Sequence, residues 1–223
     1  YPDNMVQNDL HNARELFERN ILHIPISKTT IDMSLNEVLN QEDYTFSEEY
    51  GAVYKSGIYN SKATENSLNI SPENLVVTYN EYDSFGNLLQ YTKKDGIPVS
   101  FIWGYNNQYP IAKIEGVSYY QISSDFINEL KNLSNLDNDR CIGINFNCAE
   151  SKLRKRLNEF RSNDLFSNSF VTIYTHDPLI GVTSIMLPNG QTEYYNYDKL
   201  GRLINVLNDR EEVLKSMEYN YKK

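Results

Sequence analysis

Four carboxylates of this chain stand beside tyrosines: Glu81 and Asp83 around Tyr82, and Glu193 and Asp198 around the run from Tyr194 to Tyr197. Two carboxyl groups about 5 Å apart are what a retaining glycosidase needs, one as nucleophile and one as acid. Asp83 and Asp198, however, occupy matching turn positions in two copies of one phrase, which gives both a backbone role. His11, His23 and His176 are far apart and form no His-Glu-x-x-His metal motif. There is no Gly-x-Ser-x-Gly elbow, P-loop or dinucleotide-binding glycine pattern. Asp137-Asn138-Asp139 has the opening of a calcium loop without its glycine and distal glutamate, and reads as an exposed acidic turn. The expectation is a protein that is not an enzyme, with no metal and no cofactor.

Residue types suited to recognition are denser in one place. Trp103, Tyr105, Asn106, Asn107, Gln108 and Tyr109 put aromatic faces, which stack on sugar rings, beside amides, which read hydroxyls. A glycan is the ligand this combination suggests. The chain holds 18 Tyr against 9 Phe and one Trp. Tyrosine suits half-exposed strands because it joins a large apolar body to a polar tip, so its rows either fill sheet faces or serve as sugar platforms. Cys141 and Cys148 either pair, as in an exported protein, or remain two buried thiols. Without a neighbouring histidine they do not make a four-ligand metal site.

The elements that must carry these residues follow from a phrase written twice. Tyr82-Asp83-Ser84-Phe85-Gly86-Asn87-Leu88 and Tyr197-Asp198-Lys199-Leu200-Gly201-Arg202-Leu203 agree in register. Asp opening a type I turn bonds the backbone two residues on, and Gly at the fourth position accepts the positive φ that follows. Each phrase is thus strand, turn, strand. A second turn signal follows each copy, Asp95-Gly96 and Asn208-Asp209. Flanking residues alternate: Val99, Phe101, Trp103 and Tyr105 share one face, as do Met217, Tyr219 and Tyr221, which predicts half-buried antiparallel strands. Weaker copies start at Trp103 and Tyr174, giving four units with a period of roughly 21–23 residues, two short strands and their turns.

These residues resemble the bacterial YD-repeat (Rhs-type) proteins. The resemblance covers the two repeat blocks and is strongest at Tyr82-Asp83…Gly86-Asn87-Leu88 and Tyr195-Asn196-Tyr197-Asp198…Gly201-Arg202-Leu203. Val171 to Ser184 is similar to a variant found in long secreted members. Membership implies a continuous antiparallel sheet, secretion or surface display, and no intrinsic catalysis. In larger members the repeats wrap a shell around a toxin, and glycan binding has been proposed for them. Glu211 and Glu212 stand near where Gly marks the final turn in the family. The function this implies is a structural scaffold or capping region, with a glycan-binding module and a fragment of a toxin-delivery shell as alternatives.

Between and before the repeats the patterning changes. Met5, Val6, Leu10, Ala13, Leu16 and Phe17 recur at helical steps, predicting a helix over 1–22. Residues 27–74 read as mostly loop with one irregular hairpin, and 60–72 as poorly ordered. Residues 121–165 read as helical, with a short turn or two from Ser124 to Leu130 and a longer helix opened by Asn147 and Glu150 as cap and box. Leu153, Leu157 and Phe160 form its apolar face. Lys152, Arg154, Lys155, Arg156 and Arg161 crowd the rest, as a solvated face or as an anion-binding patch. The fold expected is mainly β (α+β): an antiparallel sheet of YD-repeat hairpins with a helical insertion and an N-terminal helix. Its segments are 1–78, 79–120, 121–170 and 171–223, in one domain.

Charge narrows the partners. With a formal net charge of −9 and a pI near 4.9, the chain is a poor ligand for nucleic acid or for an anionic membrane surface. No apolar run reaches the ~20 residues of a membrane span. Tyr1-Pro2 predicts a fragment or processed form, extracellular or at the cell surface, with a signal peptide upstream. Its partners would be the rest of the parent polypeptide or another surface protein, and a glycan.

Overall fold

A computed structural model describes residues 13–21, 23–61, 71–139, 141 and 147–220. It is mainly β and antiparallel, as the repeats predict, and divides into two units, Tyr1–Pro98 and Val99–Lys223. The boundary falls inside the first repeat block.

In the first unit a short helix, α1 (Ala13–Glu18), precedes five strands: β1 (Ser27–Asp32), β2 (Glu37–Glu49), β3 (Ala52–Ser61), β4 (Leu75–Tyr82) and β5 (Leu88–Lys93). Each pairs antiparallel with the next. The helix predicted over 1–22 is described only from residue 13, its first twelve residues lying outside the described set. It ends at Glu18 because Asn20 turns left-handed (φ 57). The Asn20 and Ile21 N–H groups then return to Phe17 O and Leu16 O, a Schellman stop. Leu16 and Phe46 form a small buried cluster with Ile21, Ile24, Ile26, Tyr44 and Val53 around them.

Residues 27–61 correct the loop expectation: they are three strands. The buried positions on β2 are Gln41, Asp43, Thr45 and Phe46, so an alternation exists but its first three members are polar. Asp43 Oδ1 accepts from Ser27 Oγ (2.7 Å) and from Gln41 Nε2 (2.9 Å), which satisfies a carboxylate that burial would otherwise penalise. The β2–β3 hairpin turns through Tyr50 and Gly51, both at positive φ, as a two-residue turn matching strand twist requires. Of the stretch expected to be poorly ordered, 60–72, residues 60 and 61 belong to β3 and Pro72 opens a 3₁₀ turn that runs to Asn74; 62–70 lie outside the described residues.

The second unit holds β6 (Pro98–Gly104), β7 (Tyr109–Glu115), α2 (Ser124–Asn135), α3 (Ala149–Arg161), β8 (Phe170–Asp177), β9 (Gly181–Met186), β10 (Thr192–Tyr197), β11 (Leu203–Leu207) and β12 (Val213–Ser216). The strands again pair antiparallel in chain order. The two helices arise between β7 and β8 and cover a core of Ile102, Ile111, Ile114, Val171 and Ile173 with Ile127, Leu130, Leu153, Leu157 and Phe160. Burying each such side chain contributes about 1.5–3 kcal/mol, which is what holds the helices down. On β6 the helix-covered positions include Ser100, Ile102 and Gly104, whereas Phe101 and Trp103 are only half-buried. A Cβ at Gly104 would collide with Ser134 on α2 and Ile111 on β7, so a glycine is needed for the approach. Among the described residues no helix is long and apolar enough to cross a membrane.

The repeated phrase is a turn with a clamp and a tether. Asp83 Oδ1 accepts from the N–H groups of Phe85 and Asn87 (2.9 and 2.8 Å). Asp198 Oδ1 does the same for Leu200 and Arg202 (2.8 and 3.0 Å). Gly86 and Gly201 follow at φ 88 and 74. The tyrosine before each aspartate reaches back to the preceding strand: Tyr82 OH donates to Lys55 O (2.7 Å) and Tyr197 OH to Val182 O (2.8 Å). The last turn repeats the clamp with Asn208, whose Oδ1 accepts from Arg210 and Glu212 N–H (both 2.9 Å). There Glu211 occupies the glycine position at φ 62. A non-glycine residue in that region costs roughly 1–2 kcal/mol. Glu211→Gly is therefore expected to raise stability by about 1 kcal/mol, seen as a higher urea midpoint at unchanged slope; an equal or lower midpoint would show that Glu211 carries no strain.

Candidate functional site

The recognition residues predicted around Trp103 occupy the end of β6, its turn and the start of β7, but not as one aromatic platform. Trp103 is half-buried, Asn106 and Gln108 are exposed, and Asn107 and Tyr109 are intermediate. Tyr105 is 3% exposed, so its ring face is unavailable for stacking. Tyr105, Asn106 and Asn107 are consecutive left-handed residues (φ 49, 57 and 62), a conformation that persists only where surroundings over-determine it. The end of α2 does so. Tyr105 N–H donates to Ser134 Oγ (3.0 Å), Asn106 N–H to Asn135 Oδ1 (2.6 Å), and Lys131 Nζ to Asn107 Oδ1 (3.1 Å).

Tyr105 in turn organises a buried polar group. Its hydroxyl donates to Asp137 Oδ2 (2.7 Å) and accepts from the His176 N–H (2.9 Å). His176 Nε2 donates to Pro110 O (2.9 Å), and its ring stacks on Tyr109 at 5.0 Å and meets Tyr105 edge-on at 5.5 Å. Burial pushes His176 toward its neutral form, which suits a donor locked on a carbonyl. Asp137, expected in an exposed turn, is 5% exposed. Burial raises its carboxyl to about 7 against the Tyr105 hydrogen bond, with the charges of Glu150 and Asp139 adding to the rise.

A second buried group was hidden in the helical insertion. Glu150 does not box the start of α3; it turns inward, 1% exposed, and pairs with Arg154 NH1 at 2.8 Å. Glu150 Oε1 also accepts from Thr175 Oγ1 (2.8 Å) and from Thr183 Oγ1, and Oε2 from the Cys141 N–H (2.8 Å). Arg154 NH2 donates to Cys141 O (2.7 Å), and its guanidinium lies 5.4 Å from the Tyr194 ring centroid. The N-cap of α3 is Cys148, not Asn147; the job the box would do falls to Asp139, which accepts from Ala149 and Glu150 N–H (2.9 and 3.1 Å). Cys141 and Cys148 form a disulfide, Cα–Cα 6.8 Å. The Asp139 carboxylate lies near both sulfurs, but these are spent on each other. Of the basic residues thought to crowd the helix, Arg154 is buried, Arg156 pairs with Glu129 (2.7 Å) and Glu159 (3.2 Å), and Arg161 donates to Pro188 O (2.8 Å). Lys152 and Lys155 are exposed.

A pocket of about 280 Å³ opens beside the buried pair, between Cys141, Glu150 and Thr183 on one side and Tyr194, Asn196 and Asn205 on another. No sequence motif marks it, since its walls come from five separate stretches of chain. The carboxylates first considered for hydrolysis are placed as follows. Glu81 is exposed, Glu193 accepts from Tyr195 OH (2.6 Å), and Asp83 and Asp198 clamp their turns. His11 lies outside the described residues, and His23 is exposed.

Known proteins give limited company. No protein-family model matches the chain, and no curated protein does. Among solved structures, a Tc holotoxin pore of Photorhabdus luminescens is similar over 86% of this chain, at 7% identity and a TM-score of 0.39. A TcdB2–TccC3 crystal structure is similar over 86% at 9% identity and a TM-score of 0.41. This chain spans 8% of the length of each of those chains.

The Asp137 carboxyl yields a pH test. Its ordinary value is 3.8 and its folded value about 7, so between those limits the native state binds a proton that the unfolded state lacks. Stability therefore falls as pH rises through this window. The neutral variant Asp137→Asn is expected to match the parent near pH 4 and to exceed it at pH 8, by on the order of 2–4 kcal/mol. Urea melts at the two pH values read the gap; a gap that does not change with pH would place the titration elsewhere.

Proposed function

We propose that this chain is a non-catalytic structural segment of a YD-repeat sheet, in which the α2–α3 insertion caps one sheet face. The observation that carries the reading is the repeated turn: an Asp or Asn clamp at 83, 198 and 208, with a tyrosine tether to the preceding strand before the first two. Repeated this way, the device fixes strand register, which is a scaffold's task. Capping is supported by the apolar contacts of Leu130, Leu153, Leu157 and Phe160, all at most 1% exposed. Repeat arrays need such atypical elements to protect faces that neighbouring repeats do not cover.

The buried ion pair fits the same reading. The Glu150–Arg154 pair is held by Thr175, Thr183 and both backbone groups of Cys141, an arrangement that positions backbone. Extracellular or surface placement belongs to the proposal as well. It is supported by the Cys141–Cys148 bridge, since disulfides persist in oxidising compartments.

Replacing residues 121–165 by a short Gly/Ser linker tests the cap. The product is expected to aggregate, because Ile102, Ile111, Ile114 and Ile173 lose their cover. A soluble monomer with a cooperative melt would remove the capping role.

A further inference from the structure

We infer that Asp139, Cys141 and Cys148 form a zinc site once the bridge between the two cysteines is opened. Such a site goes beyond the scaffold reading and places a redox-gated set of ligands at the head of α3. One ligand atom from each of the three residues lies within 4.8 Å of the others. A single ion can therefore be reached by all three at the ~2.0–2.3 Å of zinc–oxygen and zinc–sulfur bonds. Asp139 is exposed and the cysteines are half-buried, which lets both an ion and a small thiol arrive.

Each of the three residues is already held by a donor of its own. Cys148 Sγ, at the N-cap of α3, accepts from the Ser151 N–H (3.2 Å). Arg154 NH2 stands 3.8 Å from Cys141 Sγ. Both donors stabilise negative charge on sulfur, and the thiolate is the form that binds metal. The two Asp139 oxygens take the Ala149 and Glu150 N–H groups (2.9 and 3.1 Å), which orients the carboxylate and leaves a lone pair on each oxygen. Outer donors of this kind hold the ligands of metal sites in place. The neighbouring Glu150 carboxylate does not compete for the ion, because Arg154, Thr175, Thr183 and the Cys141 N–H fill it.

The donor set selects the ion. Calcium and magnesium take oxygen ligands, whereas two thiolates and one carboxylate suit a borderline-soft divalent ion. Three protein ligands leave the fourth tetrahedral position to water. With the bridge intact the sulfurs are spent and the site is closed; a small thiol opens it. Its thiolate attacks one bridge sulfur, giving a mixed disulfide and releasing the other cysteine as a thiolate, and a second thiol then displaces the first. The products are two protein thiols and one small-molecule disulfide. Zinc then replaces the two thiol protons, which pass to solvent.

The test uses the whole chain, reduced with dithiothreitol, desalted without oxygen and titrated with Co²⁺ as a spectroscopic stand-in, then with Zn²⁺ against a chromophoric chelator. Co²⁺ is expected to give thiolate charge-transfer and tetrahedral visible bands, and Zn²⁺ to displace it with a Kd on the order of 1 µM. Asp139→Asn keeps an oxygen to cap α3 and is expected to weaken zinc about tenfold or more. Cys141→Ser combined with Cys148→Ser is expected to remove the bands, and the oxidised parent to bind neither ion. Zinc is expected to raise the melting temperature of the reduced chain and to leave that of the oxidised chain unchanged. The zinc site is ruled out if the reduced chain gives no Co²⁺ bands and holds no zinc at about 100 µM, a hundred times that Kd. It is ruled out equally if binding survives the loss of both cysteines, if Asp139→Asn binds zinc as tightly as the parent, or if reduction abolishes the cooperative melt and zinc does not restore it.

Discussion

The structure depends on a short polar side chain closing a turn from inside. An Asp or Asn oxygen accepting two N–H groups removes the backbone donors that a reversing chain would otherwise leave to solvent. At Asp83, Asp198 and Asn208 the same two donors, two and four residues on, are taken each time. A turn held this way sets which residues of the two flanking strands oppose each other. In a sheet of short strands that decision matters more than any one side-chain contact, because a slip by one residue inverts every face. The tyrosine tether adds a constraint of another kind. Tyr82 and Tyr197 bond to a carbonyl of the preceding strand, so each hairpin is fixed to its neighbour as well as to itself.

The tether also explains part of the tyrosine count. A phenylalanine would fill the same half-buried space, but it would leave a carbonyl near the turn to find another donor. Tyr219 repeats the habit on Leu203 O at 2.8 Å, and Tyr109 on Pro178 O at 3.0 Å. Gly181 leaves room for it: a Cβ there would stand 3.2 Å from the Tyr197 hydroxyl. Part of the tyrosine enrichment is thus structural.

What the sequence made legible was the part governed by local chemistry. Asp and Gly three apart gave the turns at 83 and 198, and the Asn208-Asp209 pair gave the last turn, although Glu211 disguised its left-handed residue. Alternation gave β6, but Tyr105 does not continue it: it lies past the strand end at Gly104 in a left-handed turn (φ 49) and is buried. Residues 27–61 were misread because three of the four buried positions on β2, Gln41, Asp43 and Thr45, are polar, which no hydrophobic pattern reveals. Glu150 read as half of a capping box and Arg154 as part of a solvated face or an anion-binding patch. Only the tertiary placement of Thr175 and Thr183, on β8 and β9, turns that pair inward. The pocket had no sequence signal because its walls meet only in the fold.

The buried charges in the insertion raise a question of purpose, since an apolar substitute of similar volume is often as stable as a buried ion pair. Their value here lies in what a wrong docking would leave behind. If α3 shifted by one residue or rotated, Leu153 and Leu157 would still find apolar neighbours, because aliphatic packing tolerates small changes of partner. Glu150 and Arg154 would not. Their partners are two particular hydroxyls and both backbone groups of Cys141, and losing them leaves a charge stranded in the core, at about 3–5 kcal/mol. The left-handed run at Tyr105–Asn107 applies the same logic to α2, whose last turn must present Ser134 and Asn135 to accept its N–H groups. Hydrophobic contact presses the helices onto the sheet; the polar groups decide where they stop.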